Sequence, residues 1–380
     1  SIEYPASSIP IESVITATTA IQAQTYSLRR TMKPSLVDEL FCPACLKEDD
    51  SQTASLDLKV SEDDGETVQE GLLSCGCGSQ YPIMKGIPRM LPDAMDDEFQ
   101  EKWKRTQNSF GRQWNAYDVQ SPEEDRHLFH TKTGFDLDSL SGLRVLDAGC
   151  GGGRYAFQTG RSGAEVFAVD ISHAVEKTAE LCRDLPNVHI IQANLMELPF
   201  RRENFDRIYS IGVMHHTPDT RAVFEAALPF LRPGGLISIW LYKQWSPYRE
   251  FMNNFWRGIT TRMPHTLLHA CALASSPIGG VKGWAYRSNW KLLARAFWQL
   301  EKFLPGISNH PEHRQRVCDT FDWFAPQYQW HHTDEEVSAW LEEAGLEDVV
   351  NLSEDASFYV EGQGEGVNFQ GKRRGMTNDE

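Results

Sequence analysis

Between residues 141 and 242 short apolar runs alternate with amphipathic stretches. "LRVLDAG", "EVFAVDIS", "VHIIQANL", "FDRIYSIGV" and "GGLISIWLY" read as strands, with "RYAFQTGRSG", "AVEKTAELCRDL" and "TRAVFEAALPFL" as helices among them. Short apolar strands interleaved with helices predict a parallel sheet covered on both faces, a doubly wound α/β core.

The rhythm breaks over residues 243–332, where the pattern turns helical and aromatic: eight of the eleven tryptophans lie between 240 and 330. This stretch reads as a helical, aromatic-rich lid inserted over a pocket, or more plainly as the core of a small helical subdomain. The α/β rhythm resumes over 333–362. There Thr333 and Glu336 make a capping-box start, Gly345 suits a helix stop, and "EDVVNLS" and "SFYVEG" read as closing strands. Residues 363–380 read as a polar tail. Ahead of the sheet lie an N-terminal arm (1–35), a segment with paired cysteines (36–95) and a helical linker (96–140).

Charge narrows the partners. The chain carries 53 acidic and 37 basic residues, a net charge of −16, and no basic stripe, which argues against nucleic acid. Lys372, Arg373 and Arg374 form a small basic cluster that reads as solvated tail. No apolar run reaches the roughly 18 residues of a membrane span, and residues 1–34 do not read as a secretion signal. A cytoplasmic protein without a membrane partner is therefore expected. The isolated Cys150, Cys182, Cys271 and Cys318 fit a reducing compartment.

The chemistry gathers at "VLDAGCGGGRY". A dinucleotide fingerprint needs G-x-G-x-x-G, yet Arg154 stands where the third glycine belongs, which disfavours an NAD-type dehydrogenase. Glycines let backbone approach a ligand closely, whereas Asp147 beside them suits a cationic amine and repels phosphate. Asp170, ending "VFAVD", is placed to accept both ribose hydroxyls. An adenosine bearing a charged amino-acid group satisfies both acids, and S-adenosylmethionine is such a molecule.

With "VLDAGCGGGR", "VFAVDIS", "IIQANLMELPF" and "FDRIYSIGVMHHTPD" followed by "LRPGGLISIWLY", the chain resembles a class I S-adenosylmethionine-dependent methyltransferase of the type 11 group. The resemblance covers about residues 140–242 and implies a Rossmann-like sheet. It also implies that Gly149, Gly151 and Gly153 lie against the cofactor, Asp170 holds the ribose and Ile171 packs on the adenine. Asn194 and Leu195 would meet the adenine edge, and the Ile211 carbonyl the methionine amine. Position 194 is often Asp in the group. "SFGRQWN", with Phe110 and Trp114, resembles the arm that covers the cofactor in related enzymes.

Methyl transfer is an in-line displacement, so the protein aligns the acceptor and removes a proton from an N–H or O–H nucleophile. His215 and His216, after the fourth strand of this core, are the expected base; the plainer reading is loop histidines bonded to backbone. His331 and His332 are rivals. Tyr242, Asp322, Tyr328 and His332 are expected to face the substrate.

Cys42-Pro-Ala-Cys45 and Cys75-Gly-Cys77 suggest four zinc ligands in a closed structural site. A ribbon that has lost its metal, or a redox pair, are the alternatives. "CPAC" and "CGSQYPIMKGIPRML" resemble the small zinc-ribbon protein that activates tRNA and translation-factor methyltransferases. The second knuckle departs from C-x-x-C, which would place its first ligand at Ser74.

The reading is thus a methyltransferase acting on a small-molecule metabolite or natural-product acceptor, with Zn2+ in an N-terminal ribbon-like module. Methylation of tRNA or a translation protein, and a noncatalytic cofactor-binding partner subunit, are the alternatives. The oligomeric state is not legible.

Overall fold

The computed structural model describes residues 32–47, 54–91, 122–288, 290–353 and 366–375. Most of the expected arm, "SFGRQWN" and "SFYVEG" lie outside the described residues.

A short helix, α1 (Pro43–Lys47), precedes an antiparallel meander of β1 (Leu56–Asp63), β2 (Val68–Cys75), β3 (Gln80–Met84) and β4 (Ile87–Met90). After α2 (Pro122–Thr133) come β5 (Arg144–Ala148), α3 (Arg154–Arg161), β6 (Glu165–Asp170), α4 (Val175–Leu181) and β7 (Val188–Ala193). Then follow β8 (Phe205–Ile211), α5 (Thr220–Ala227) and β9 (Leu231–Tyr242). The lid comprises α6 (Pro247–Thr260), α7 (His265–Arg287), α8 (Lys291–Leu300) and α9 (His313–Phe324), and α10 (Asp334–Glu343), β10 (Leu346–Asn351) and β11 (Gly366–Arg373) close the fold.

All these strands form one sheet, in the order β1-β2-β3-β4-β7-β6-β5-β8-β9-β11-β10. From β4 to β9 neighbours run parallel, and β11 is antiparallel to both β9 and β10. The predicted doubly wound α/β sheet is present, with apolar cores on both faces. Along β5, Leu146 and Ala148 enter one core and Val145 the other. Alternation on a sheet covered twice makes every position apolar, which is why these strands read as continuous hydrophobic runs. The order reverses at β5, so the carboxyl ends of β5, β6 and β8 frame a crevice, where open α/β sheets bind ligands.

Two boundaries differ from expectation. The cysteine-bearing meander is not set apart: Arg89 and Met90 of β4 pair in parallel with Gln192 and Ala193 of β7 and extend the central sheet. Met32, assigned to the arm, is buried and bridges Val68.

The expected tail contains β11. Its inward polar residues disguised it: Asn368 Nδ2 donates to the Thr131 carbonyl and Gln370 Nε2 to the Thr133 carbonyl, both at 2.7 Å. These carbonyls belong to the last turn of α2, which has no intrahelical donors to offer them. Lys372 and Arg373, read as solvated, instead reach Asp348 at 3.3 Å and Glu203 at 2.6 Å.

Candidate functional site

The glycine loop leaves β5 and enters α3. Gly149, Gly151 and Gly153 have φ of 99°, 51° and 84°, a left-handed region that glycine adopts without the strain a Cβ brings. Asp170, at the end of β6, clamps the loop: its Oδ2 accepts from Gly151 N at 2.9 Å and its Oδ1 from Ser172 N and Oγ at 2.8 and 2.6 Å. Burial raises its pKa against these hydrogen bonds. Arg154, the residue that broke the dinucleotide pattern, turns away to α2, where its Nε donates to Asp125 at 2.7 Å.

The loop opens on a cavity of about 720 Å³ that runs from the carboxyl ends of the core strands into the lid. Gly149, Gly151, Asp170, Ile171, Asn194, Leu195 and Ile211, residues for which the resemblance implies cofactor contact, line one end. Asn194 Oδ1 accepts from Met196 N at 3.0 Å, which fixes the turn after β7. His216, Tyr242 and Asp322 line the middle, with the Tyr242 hydroxyl 3.3 Å from Asp322 Oδ2. Trp245, Trp256, Trp298 and Trp323 line the lid end.

Five expected residues stand off the wall. Asp147 shares the face of Val145 rather than the crevice, and burial raises its carboxyl to about 8. There it faces Tyr209 of β8 and the Ala156 backbone of α3. Gly153 turns toward Thr178, where a Cβ would come within 2.9 Å of backbone. His215 is fully buried, its ring tilted against that of Tyr242 with centroids 4.0 Å apart. Tyr328 contributes its carbonyl to His216 Nδ1 at 2.9 Å. His332 bonds Thr220 Oγ1 at 3.0 Å and Glu336 at 3.1 Å, and so serves the start of α10.

The histidine pair is therefore split by the structure. The Tyr328 carbonyl can only accept, so His216 Nδ1 carries the proton and Nε2 the lone pair. Desolvation pushes His216 down to about 3 and His215 well below its ordinary range, so both are neutral at pH 7. The backbone-bonded reading of a loop histidine describes His216 correctly, although it also faces the cavity.

Sequence reasoning missed the contribution of α2, whose Glu124, Leu128 and Lys132 line the cavity. Their i, i+4, i+8 spacing on one helical face was the available signal. It missed Val213, which follows the fourth core strand, and Trp240, near the end of the fifth, as well.

At the N-terminal module the four sulfurs of Cys42, Cys45, Cys75 and Cys77 lie within 4.8 Å of one another. Cys42 and Cys77 are 3.7 Å apart, Cys45 and Cys75 3.6 Å. A tetrahedral ion with bonds of about 2.3 Å sets its sulfurs about 3.8 Å apart, whereas a disulfide requires about 2.05 Å. The C-x-C departure is absorbed by a tight turn in which Gly78 N donates to the Cys75 carbonyl at 3.0 Å. Burial raises Cys45 and Cys75, while the Ser79 hydrogen bonds lower exposed Cys77 to about 6.

Residues 146–239 match the family model of a methyltransferase domain. A ubiquinone biosynthesis O-methyltransferase of Xylella fastidiosa strain M23 is 36% identical over 104 residues, covering 27% of this chain and 42% of that protein. Its counterpart in Xanthomonas oryzae pv. oryzae strain PXO99A is 31% identical over 133 residues, covering 33% and 53%. The chain thus spans about half or less of the length of these relatives. Among solved structures, the 1,6-didemethyltoxoflavin-N1-methyltransferase of Burkholderia thailandensis, with its substrate and S-adenosylhomocysteine, is similar at 14% identity and a TM-score of 0.43, covering 84% of this chain and 99% of that one.

Proposed function

We propose that this chain transfers a methyl group from S-adenosylmethionine to a small-molecule acceptor held between the glycine loop and the lid. One observation carries the reading: a single cavity joins the Gly149–Gly151 loop and Asp170 to an aromatic chamber that includes Trp245, Trp256 and Trp323. The matched domain over residues 146–239 and the small-molecule methyltransferases among its relatives support it.

The residues fit the cofactor. A Cβ at Gly149 would overlap Val213, so the loop already approaches its neighbours as closely as backbone can. Asp170 would hold the ribose, Ile171 would pack on the adenine, and Asn194 and Leu195 would meet its edge; that all four line the cavity supports this reading. When bound, the sulfonium supplies an electrophilic methyl group. The chain's part is alignment and water exclusion: the lid walls hold the acceptor, and His216 with Tyr242 and Asp322 forms the polar stretch beside it. His216 Nε2 accepts the acceptor's hydrogen bond. Its depressed pKa makes it a positioning base rather than one that titrates near neutrality. His215 acts through Tyr242, which its ring touches.

Titration calorimetry with S-adenosylhomocysteine and a methyl-release assay over small ring-bearing acceptors test the proposal. Binding with release is expected, and His216→Ala is expected to lower turnover by about 10²-fold or more. Absence of cofactor binding refutes the reading; binding without release from any acceptor favours a noncatalytic partner subunit.

We further propose that the cysteine cluster holds Zn2+ with four protein ligands and no open position, a structural site.

A further inference from the structure

Beyond a small core of Leu268, Ala272, Phe321 and Phe324, the lid helices carry apolar residues on their outer faces as well. On α6, Tyr248, Phe251, Phe255 and Ile259 are all exposed and fall within about 80° of one another around the helix. The opposite face sends Arg257 inward, where its guanidinium donates to the carbonyls of Trp323 and Pro326 at 2.8 and 2.7 Å. On α7, Leu267, Cys271, Ala274, Ile278, Val281 and Trp284 recur at spacings of three and four, and every one is exposed. Lys282 points in instead, donating to the Ile307 carbonyl at 2.8 Å. Helix α8 has no buried residue among its ten, and its Leu292 is 88% exposed. Ordinary surface helices show the reverse arrangement, and contiguous apolar surface on this scale marks an interaction site.

Charge selects the partner. Residues 243–304 carry nine basic side chains and two acidic ones in a chain whose net charge is −16, and with Arg257 and Lys282 buried, seven of the nine are left outside the core. The whole-chain balance hides this. Arg262, Arg287, Lys291 and Arg295 are exposed and flank the apolar faces. Tryptophan and phenylalanine on one side with Lys and Arg beside them is the composition of helices that lie in a lipid interface. A second copy of the lid would oppose like charge to like charge, and the outward face of α7 offers no donor to nucleic-acid phosphates. Among the described residues no helix is long and apolar enough to cross a membrane, and lying on its surface needs none. The cavity also opens here: Trp298 and Leu304 are half-exposed and line it.

We propose that the α6–α8 face of the lid docks on an anionic lipid bilayer, with the mouth of the cavity turned toward the membrane. The inference is independent of the reaction assigned to the core.

Vesicle flotation of the full chain tests it. With phosphatidylcholine vesicles containing about one-third phosphatidylglycerol, partitioning should exceed that on pure phosphatidylcholine by about tenfold or more. Raising salt from about 0.1 M to about 0.5 M should release the protein. Phe251→Ser with Phe255→Ser should abolish binding. Lys291→Glu with Arg295→Glu should weaken it by more than about tenfold, each cation contributing roughly a fivefold factor. All four positions are solvent-exposed, so circular dichroism and Tm should match the parent. Equal partitioning on both vesicles, or binding unchanged in the phenylalanine variant, overturns the proposal. So does a dimer that this variant dissociates, or tighter binding to a structured RNA than to the anionic vesicles.

Discussion

Gly149→Ala is the sharpest probe of the glycine loop, because its cost has two separable parts. At φ of 99° any L-residue is strained, by about 1–2 kcal/mol. The added Cβ would also overlap both γ-methyls of Val213 and come within 2.7 Å of its Cβ, against an ordinary carbon contact of about 3.5–4.0 Å. Forced repacking of that kind costs about 1–3 kcal/mol. The sum, about 2–5 kcal/mol, corresponds to a Tm fall of roughly 3–8 °C in a unit of this size. Affinity for S-adenosylhomocysteine should fall about tenfold or more, since the loop and Val213 both wall the cavity. Gly212→Ala isolates the first part: its φ is 77° but the nearest foreign atom to its Cβ is 3.7 Å away, so only about 1–2 kcal/mol should be lost. Val213→Ala isolates the second. In a double-mutant cycle Gly149→Ala with Val213→Ala should recover about 1–2 kcal/mol relative to additivity. Strict additivity, or a Gly149→Ala protein as stable as Gly212→Ala, refutes the close approach of loop and strand end.

Asp170→Asn keeps the shape but must donate where the carboxylate accepts three hydrogen bonds; a stability loss of about 1–3 kcal/mol with at least tenfold weaker S-adenosylhomocysteine binding is expected by denaturation and calorimetry, and unchanged affinity would remove the ribose assignment. Asp147 ionises at its ordinary 3.8 when unfolded and near 8 when folded, so folding takes up a proton between these values and stability falls as pH rises through that window. The Tm advantage of Asp147→Asn over the parent should therefore widen from pH 5 to pH 8, and a constant gap would show that the carboxyl is not held protonated. Elemental analysis of the purified chain should find zinc, and Cys42→Ser or Cys75→Ser should lose both the metal and thermal stability; metal-free parent protein of full stability would leave the cysteines as a thiol cluster only.

The legible part of the fold is the part whose constraints are local. β5 to β9 read clearly because burial on both faces makes each strand apolar throughout, and α10 read clearly because Thr333 Oγ1 does accept from Glu336 N, at 3.2 Å. β11 did not, because Asn368 and Gln370 are satisfied by carbonyls of a helix more than two hundred residues earlier in the chain, a contact no local pattern announces. The same limit applied at the site. Gly149, Gly151, Asp170 and Asn194 reach the cavity wall because loops at strand ends face the crevice whatever the parity. Asp147 could not be placed, since both faces of β5 are apolar and parity alone does not say which one looks at the ligand. His332 was ambiguous for a different reason: Glu336 four residues on made a helix-start partner as visible as a substrate role. The lid's aromatic density was legible, whereas its outward aim becomes visible only once Arg257 and Lys282 are seen pointing inward.

The N-terminal module and the cofactor end of the cavity meet through one chain of hydrogen bonds. Arg89 of β4 donates through Nη1 to Gln192 Oε1 at 2.9 Å, and Gln192 Nε2 donates to the Ile171 carbonyl, also at 2.9 Å. Ile171 lines the cavity beside Asp170. Burial lowers the Arg89 pKa while Glu176, 3.2 Å away, supports its charge, so the guanidinium is held rather than free to swing into solvent. The module also braces the turn after β7: Phe41 N donates to the Pro199 carbonyl at 2.9 Å and Lys47 meets Glu197 at 3.1 Å. Without β4, β7 would be an edge strand of the doubly wound core, and the segment carrying Asn194 and Leu195 would leave from an unprotected edge. A covering meander needs its own anchor, because β1 lies mostly in solvent and buries little apolar surface. Four thiols converging where α1 meets the end of β2 provide the place for one. The cysteine cluster and the glycine loop, unrelated in sequence, thus act on the same wall from its two sides.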